Sequence, residues 1–291
     1  MRITQYGIID IGSNTVVLAI YESDGKTFKQ TFERSQTVHL VGYVENGKMR
    51  QEGLDAAYRT IYEYMGILMM HRVDNVYAEI TACGRNISNP EDLIKAVKRA
   101  GCQNVRILTG EEEAMCDYWG AVMGEDVSDG LMIDIGGGST EFVRFKDKKI
   151  EAVHSIPMGC VKLMHQRYDP SVSLPYIEQM RAADPKFTNT THAIGVGGTI
   201  RFTTYILQEL IYIDHTFTNE QFHDLYDRLR NEDIPAVKAL WKRVSADRQS
   251  AMIPGMGMLA ATMDSFGVEL VSLSEYGVRE GFLAHYILHI I

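Results

Sequence analysis

The chain has 291 residues, 45% of them hydrophobic and 23% charged, a globular composition long enough for a sizeable core and, on length, for two domains. Its formal net charge of −9 excludes a general basic footprint for DNA, RNA or an anionic membrane, so an anionic ligand has to be met by local cations. Cys83, Cys102, Cys116 and Cys160 show no C-x-x-C spacing, no secretory apolar region is present, and no uncharged apolar run approaches the ~18–20 residues that span a bilayer, so a reduced cytoplasmic setting is expected.

In chain order, alternation of apolar residues predicts strands over 5–11, 15–22 and 27–33, with Ser23-Asp24-Gly25-Lys26 as the hairpin turn between the last two. A helical period over 51–71 puts Leu54, Ala57, Tyr58, Ile61, Tyr64, Met65 and Leu68 on one stripe, which assigns the tyrosines and methionines of this segment to a core. A strand near Val76–Ile80 follows, then a helix announced by Asn89-Pro90 and stopped by Gly101. Val105–Leu108 is a strand leading into a helix at Gly110-Glu111-Glu112-Glu113. The polar, glycine-punctuated stretch Glu125–Gly130 then divides the chain into domains 1–124 and 125–291. The second half predicts strands over 131–134, 141–145, 150–155 and 192–196, a helix after Gly159, and helices over about 200–211, 219–230, 254–266 and 277–290. The last of these is expected to pack back on the first domain or on a partner subunit.

The chemistry concentrates at a repeated turn. Residues 131–141, Leu-Met-Ile-Asp-Ile-Gly-Gly-Gly-Ser-Thr-Glu, form an apolar strand ending in Asp134, a triple glycine, then Ser139, Thr140 and Glu141. Residues 8–15 repeat the order with Asp10, Gly12, Ser13 and Asn14. Consecutive glycines cost backbone entropy that a plain hairpin avoids by using Asn-Gly or Asp-Gly, and bare amides facing a phosphate would offset that cost. Asp134 and Glu141 are placed to hold Mg²⁺, which takes few protein carboxylates and keeps much of its water. Two copies suggest duplicated domains whose turns grip one phosphorylated ligand across a cleft.

Other segments leave two readings open. Glu111, Glu112 and Glu113 complement a helix N-terminus, yet three acids exceed what capping needs, and a carboxylate among phosphates suits a general base for water. Arg85, after Thr81-Ala82-Cys83-Gly84 at a strand end, is either a phosphate fork or a solvated surface arginine. Gly195-Val196-Gly197-Gly198-Thr199 repeats the bare-amide logic at a helix start, and close strand–helix packing explains it equally well. Arg144 and Lys162 either line an anion channel or are ordinary bases. His285 and His289 stand one helical turn apart without a third metal ligand in view.

Taken together these segments resemble the exopolyphosphatase and guanosine pentaphosphate phosphohydrolase family, a branch of the actin, sugar kinase and heat-shock chaperone ATPase superfamily. Asp10–Asn14 resembles its first phosphate loop, Thr81–Arg85 its Ala-x-Arg segment, Gly110–Ala114 its Gly-x-Glu-Glu-Ala motif and Asp134–Glu141 its second phosphate loop. Ser155–Gly159, Gly195–Thr199, Arg248–Gly255 and Ser274–Gly281 resemble further signatures, so the likeness covers nearly the whole chain. It departs at 34–40, where Arg34 is the only formally charged residue, at Ser250, where an aspartate is common, and between Asp169-Pro170 and Gly195, where the chain is short.

The resemblance implies an α/β fold of two ribonuclease H-like, actin-like domains with the site in the cleft. It implies Mg²⁺-dependent release of terminal phosphate from inorganic polyphosphate, or of the 5′ γ-phosphate from guanosine pentaphosphate. Glu113 would be the base, with Glu112 the alternative one register away, and Arg85 a phosphate clamp. Asp134 and Glu141 would be the metal ligands. Asp10, Gly12, Ser13, Asn14, Gly136, Gly137, Gly138, Ser139, Thr140, Gly197, Gly198 and Thr199 would line the phosphate site. Partners expected are the polyphosphate or guanosine pentaphosphate substrate and a second copy in a homodimer, with no nucleic acid and no membrane. A non-catalytic nucleotide or alarmone sensor of the same fold is the alternative, and a small-molecule kinase lacks a second candidate base.

Overall fold

The computed structural model describes residues 3–164, 170–230 and 246–291; Asp169 and the side chain of Arg248 lie outside the described residues. By compactness the chain forms two units, Met1–Glu113 with Phe282–Ile291, and Ala114–Gly281.

The first unit opens with β1 (Thr4–Ile11), β2 (Thr15–Ser23) and β3 (Phe28–Thr37), followed by a β4–β5 hairpin (Val44–Glu45, Lys48–Met49). Then come α1 (Gln51–Met70), β6 (Asn75–Ile80), α2 (Ala82–Arg85), α3 (Pro90–Arg99) and β7 (Asn104–Ile107). The sheet order is β3-β2-β1-β6-β7. β1 is antiparallel to β2 and parallel to β6, a central position that explains why Ile8, Ile9 and Ile11 are all fully buried. Across one face lies α1, whose buried stripe includes Leu54, Ala57, Ile61, Tyr64 and Leu68. The Tyr64 hydroxyl donates to the Val16 carbonyl at 2.9 Å, and burial pushes its pKa up to about 12. The core assignment fails for Tyr62, Met69 and Met70, which are exposed: the helical period carries them off the stripe, onto the outer side of α1.

The second unit repeats the plan. β8 (Asp129–Ile135), β9 (Thr140–Lys146) and β10 (Lys149–Ile156) form the hairpins. α5 (Cys160–Leu163), α6 (Leu174–Ala183), β11 (His192–Val196), α7 (Gly197–Ile211), β12 (Thr216–Thr218), α8 (Asn219–Arg230), α9 (Ala246–Phe266), β13 (Leu270–Leu273) and α10 (Val278–Phe282) follow. Its order, β10-β9-β8-β11-β13-β12, reproduces the first sheet with one strand added at the edge. β8 sends Leu131, Ile133 and Ile135 into the larger core and Met132 into a second cluster with Val143, Phe145, Ile194 and Val196. That second cluster is covered by Ala114, Tyr118 and Ala121 of α4 (Gly110–Gly124). The expected α/β, actin-like architecture of two ribonuclease H-like domains is the one adopted. Among the described residues no helix is long and apolar enough to cross a membrane.

Several boundaries differ from expectation for local reasons. Thr81–Arg85 is not a loop but leads into one helical turn, because the Gly84 and Arg85 amides both bond back to the Thr81 carbonyl. The Gly197-Gly198 pair is itself the first turn of α7, so that helix starts before residue 200. α9 starts at Ala246 and runs through Pro254 rather than beginning there. The predicted terminal helix is the short α10 followed by π-helical Leu283–Ile287.

Ala114–Gly124 of α4 and the segment running into α10 meet at backbone distance. A Cβ on Gly120 would lie 2.2 Å from the Gly277 carbonyl oxygen, and one on Gly281 would lie 1.9 Å from that of Cys116. The obstacle in each case is main chain, which cannot rotate aside as a side chain can. Gly120→Ala should therefore lower stability by about 2 kcal/mol or more through overpacking. A calorimetric unfolding transition at the parental temperature would refute that close approach.

Candidate active site

The repeated turn has one construction in both units. In the first, the Gly12 amide donates to the Thr15 carbonyl at 3.0 Å; in the second, the Gly136 amide donates to that of Ser139 at 3.0 Å. The turn carbonyls are then tied back into the protein. Val41 donates to the Ser13 oxygen at 3.0 Å, and Val38 and His39 donate to that of Asn14 at 2.9 Å each. In the second unit Cys160 donates to the Gly136 oxygen at 2.9 Å and Val161 to that of Gly137 at 3.1 Å. With these carbonyls committed to the protein, none of the four is available to repel an anion at the turn. Gly159 is what lets this brace approach: a Cβ there would stand 2.4 Å from the Gly136 oxygen.

Two predicted hydroxyls serve this brace. Thr140 is fully buried and donates to the Met158 carbonyl at 2.7 Å, and Thr199 is buried with its hydroxyl 3.4 Å from the Ile135 carbonyl. Both hold the turn from behind, because strand pairing and helix packing aim them inward. Gly197 and Gly198 open the 15-residue α7, whose first amides have no intrahelical acceptor.

In the first unit, Arg85 and Glu113 are brought together. The Arg85 Nη1 makes an ion pair with the Glu113 carboxylate and also donates to the Leu108 carbonyl at 3.3 Å. Glu113 is buried, and that burial raises its pKa above the ordinary carboxylate value, while the Arg85 charge and hydrogen bond oppose the rise. Glu112 is used differently. Its carboxylate accepts from the Thr109 amide at 2.8 Å while the Glu112 amide donates to the Thr109 hydroxyl at 3.1 Å, a reciprocal capping box. Burial acts upward on Glu112, but the Thr109 amide and the Arg106 guanidinium outweigh it and hold its pKa low. Of the two glutamates, Glu113 is thus the one whose proton affinity is raised.

Asp10 lies in direct register with Val17 on β2 and with Glu79 on β6, and Glu79 is wholly buried. The sequence reading missed Glu79; its signal was a lone acid inside the apolar run Val76–Ile80. Cys83 is buried against the same group, its thiol 3.1 Å from the Ile11 carbonyl; burial, then the Asp10 and Glu113 charges, push its pKa upward. It is a packed thiol, not a nucleophile.

In the second unit Asp134 is in register with Glu141 across β8–β9, so the two carboxylates share one face of the sheet. Glu141 is fully buried and accepts from the Ser155 hydroxyl at 2.7 Å. At Gly197 (φ +80°) a Cβ would stand 2.0 Å from the Asp134 Oδ1, so only glycine leaves that oxygen room. Among the described residues no group of three or more His, Cys, Asp or Glu forms a metal cage. Two hard oxygen donors beside a glycine turn fit Mg²⁺, which takes one or two carboxylates and keeps much of its water. Arg144 does not line an anion channel. Arg144 is buried on Asp129 (2.7 Å), Thr188 and the carbonyls of Gly130 and Phe145, and the Lys162 Nζ donates to the Pro157 carbonyl at 2.8 Å.

A family model described as the Ppx/GppA phosphatase family matches residues 19–289. A Haemophilus influenzae protein provisionally named exopolyphosphatase is 23% identical over 97% of this chain and 91% of its own. The guanosine-5′-triphosphate,3′-diphosphate pyrophosphatase of Aeromonas hydrophila is 23% identical over 96% of this chain; the match spans 58% of that longer protein. The crystal structure of the Aquifex aeolicus member of the Ppx/GppA family superposes with a TM-score of 0.80 at 25% identity, covering 99% of this chain and 98% of that one. A Cytophaga hutchinsonii exopolyphosphatase shares the fold, with a TM-score of 0.83 at 21% identity over 98% of each chain. With a family model matched across nearly its whole length on a fold that carries both glycine turns, the chain belongs to the Ppx/GppA phosphatase family.

Proposed function

We propose that the chain is a Mg²⁺-dependent phosphohydrolase that releases terminal phosphate from inorganic polyphosphate or the 5′ γ-phosphate from guanosine pentaphosphate. The observation that carries this reading is the buried Glu113–Arg85 pair: a carboxylate with raised proton affinity held against a guanidinium. Family membership and the names of the relatives support the substrate class.

In the proposed mechanism the amides of Ser13 and Asn14, and those of Gly137, Gly138 and Ser139, hold phosphoryl oxygens, while the Gly12 and Gly136 amides close the turns. Arg85 orients the terminal phosphoryl group. Glu113 takes a proton from water as the water oxygen bonds to the terminal phosphorus and the bridging oxygen leaves with the shortened chain. Asp134 and Glu141 would hold Mg²⁺, which supplies neutralisation of the charge developing on the phosphates. Phosphoryl transfer asks mainly for positioning and charge stabilisation, and these residues offer both.

The decisive experiment incubates the protein with Mg²⁺ and long-chain polyphosphate or guanosine pentaphosphate and measures phosphate release from each; none from either overturns the reading. Glu113→Gln should lower turnover by roughly 10²–10⁴-fold with polyphosphate binding retained. Parental turnover in that variant would remove Glu113 as the base.

The pH dependence has a definite sign. The base must be ionised, and burial raises its pKa, so kcat/KM should fall on its acid limb at a higher pH than an exposed glutamate near ~4.3 would give. Replacing Arg85 by leucine removes the charge that opposes burial and should move that limb higher still. A limb that stays put in Arg85→Leu would show that another group titrates. Chelation by EDTA should stop phosphate release, and Asp134→Asn should raise the Mg²⁺ concentration for half-maximal rate about 10–100-fold; an unchanged requirement would place the metal elsewhere.

A further inference from the structure

The first turn of α4 is held by a chain of contacts that ends at the C-terminal segment. Glu112 caps the turn through Thr109, and its other oxygen, Oε1, pairs with Nη2 of Arg106 on β7. The Arg106 guanidinium lies 4.2 Å from the centroid of the Tyr286 ring, in cation–π contact. Tyr286 is fixed in turn by Phe282, 5.4 Å away between centroids, and by His285 at 4.8 Å with the rings near perpendicular. Tyr286 lies within the π-helical Leu283–Ile287 turn, a form of helix often found at functional positions. The next residue of the capped turn is Glu113, whose amide donates to the same Thr109, at its carbonyl, 2.9 Å away.

We propose that Tyr286 and Arg106 are positioning residues for the reaction: acting through Glu112, they fix the first turn of α4 and thereby the orientation of the Glu113 carboxylate against Arg85. The inference rests on Glu113 being the base. Its physical reason is that a helix N-terminus with unpaired amides frays unless its cap is held, and the capping carboxylate here is itself held by a cation whose open face an aromatic ring covers. Loss of the ring removes the contact that steadies the Arg106 guanidinium, and its pairing with the Glu112 carboxylate in the cap is held less firmly. The base one residue further on inherits the added freedom.

The test compares Tyr286→Leu, Tyr286→Phe and Arg106→Gln, each assayed for kcat, KM, the acid limb of kcat/KM and the melting temperature. Tyr286→Leu should lower kcat about 10-fold with KM within about two-fold, since misplacing a reacting group costs rate rather than binding. Tyr286→Phe should keep kcat near parental, because the cation–π contact needs the ring and not the hydroxyl. Arg106→Gln, on a partly exposed strand position and so expected to fold, should match Tyr286→Leu. Combining the two should cost no more than either alone if they act in series. The acid limb should shift in both, a change that mere loss of docking would not produce. A lower melting temperature with unchanged kcat and limb would overturn the inference and leave Tyr286 as a docking residue only. Should Tyr286→Leu fail to fold, parental kcat in Arg106→Gln overturns it equally. Glu113→Gln serves as the control: parental turnover there defeats the base assignment and this inference with it. A silent Glu113→Gln beside fully active Arg106→Gln and Tyr286→Leu defeats the inference alone.

Discussion

Each glycine turn is organised by the orientation of a few peptide groups. A turn between two antiparallel strands has to place both its amides and its carbonyls, and a carbonyl turned toward an anion would repel it. Here the carbonyls of Ser13, Asn14, Gly136 and Gly137 accept hydrogen bonds from chain segments behind the turn. That commitment gives the opposite side of the turn a positive potential without any side-chain charge. In a protein of net charge −9 the matter is pressing, because the overall field disfavours anionic ligands and recognition has to be local.

The two units solve the same problem with different second carboxylates. Asp10 and Asp134 occupy equivalent strand ends, but Val17 stands in the first unit where Glu141 stands in the second. The first unit instead has Glu79 in register with Asp10 on its parallel neighbour. A duplicated frame has thus kept the strand-end aspartate and moved its companion to the other side of it. At Glu113 the same contest between desolvation and charge is settled by burial: the carboxylate lies so deep that the adjacent guanidinium tempers its raised pKa without reversing it. Glu112, partly exposed and given a backbone donor besides a cation, goes the other way. One residue along a helix is enough to turn a lowered carboxylate pKa into a raised one.

The legible parts of the sequence were those whose physics is local. Asp10–Asn14, Asp134–Glu141 and Gly110–Glu113 carry their geometry in consecutive residues, and strand–turn–strand order follows from period and glycine placement. What depended on partners far along the chain was not legible. Glu79 is beside Asp10 only through sheet register, and Gly159 matters only because it meets the Gly136 carbonyl. Arg144 looked like an anion ligand because a sequence cannot show that Asp129 and Thr188 already claim it. Tyr62, Met69 and Met70 share the residue types of the α1 stripe but not its angular position, and they are exposed. The inward hydroxyls of Thr140 and Thr199 show the same limit: a hydroxyl in a phosphate turn is equally suited to bracing the turn.

The glycines of Ser274–Gly281 also have a meaning that sequence could not supply. Gly277 and Gly281 bring backbone against backbone at Gly120 and Cys116, and no larger residue fits those contacts unless main chain gives way. The chain passes from the first compact unit to the second at Glu113–Ala114 and returns at Gly281–Phe282, so this contact lies a few residues from both passages. Side-chain packing tolerates rotamer changes, whereas a contact between main chains has few ways to yield. Immediately beyond it the chain becomes π-helical and delivers Tyr286 to Arg106. The C-terminal signature is therefore built from two unlike parts, a rigid glycine contact followed by an aromatic hold on the cap of α4, and the residue types at each follow from which of the two it has to be.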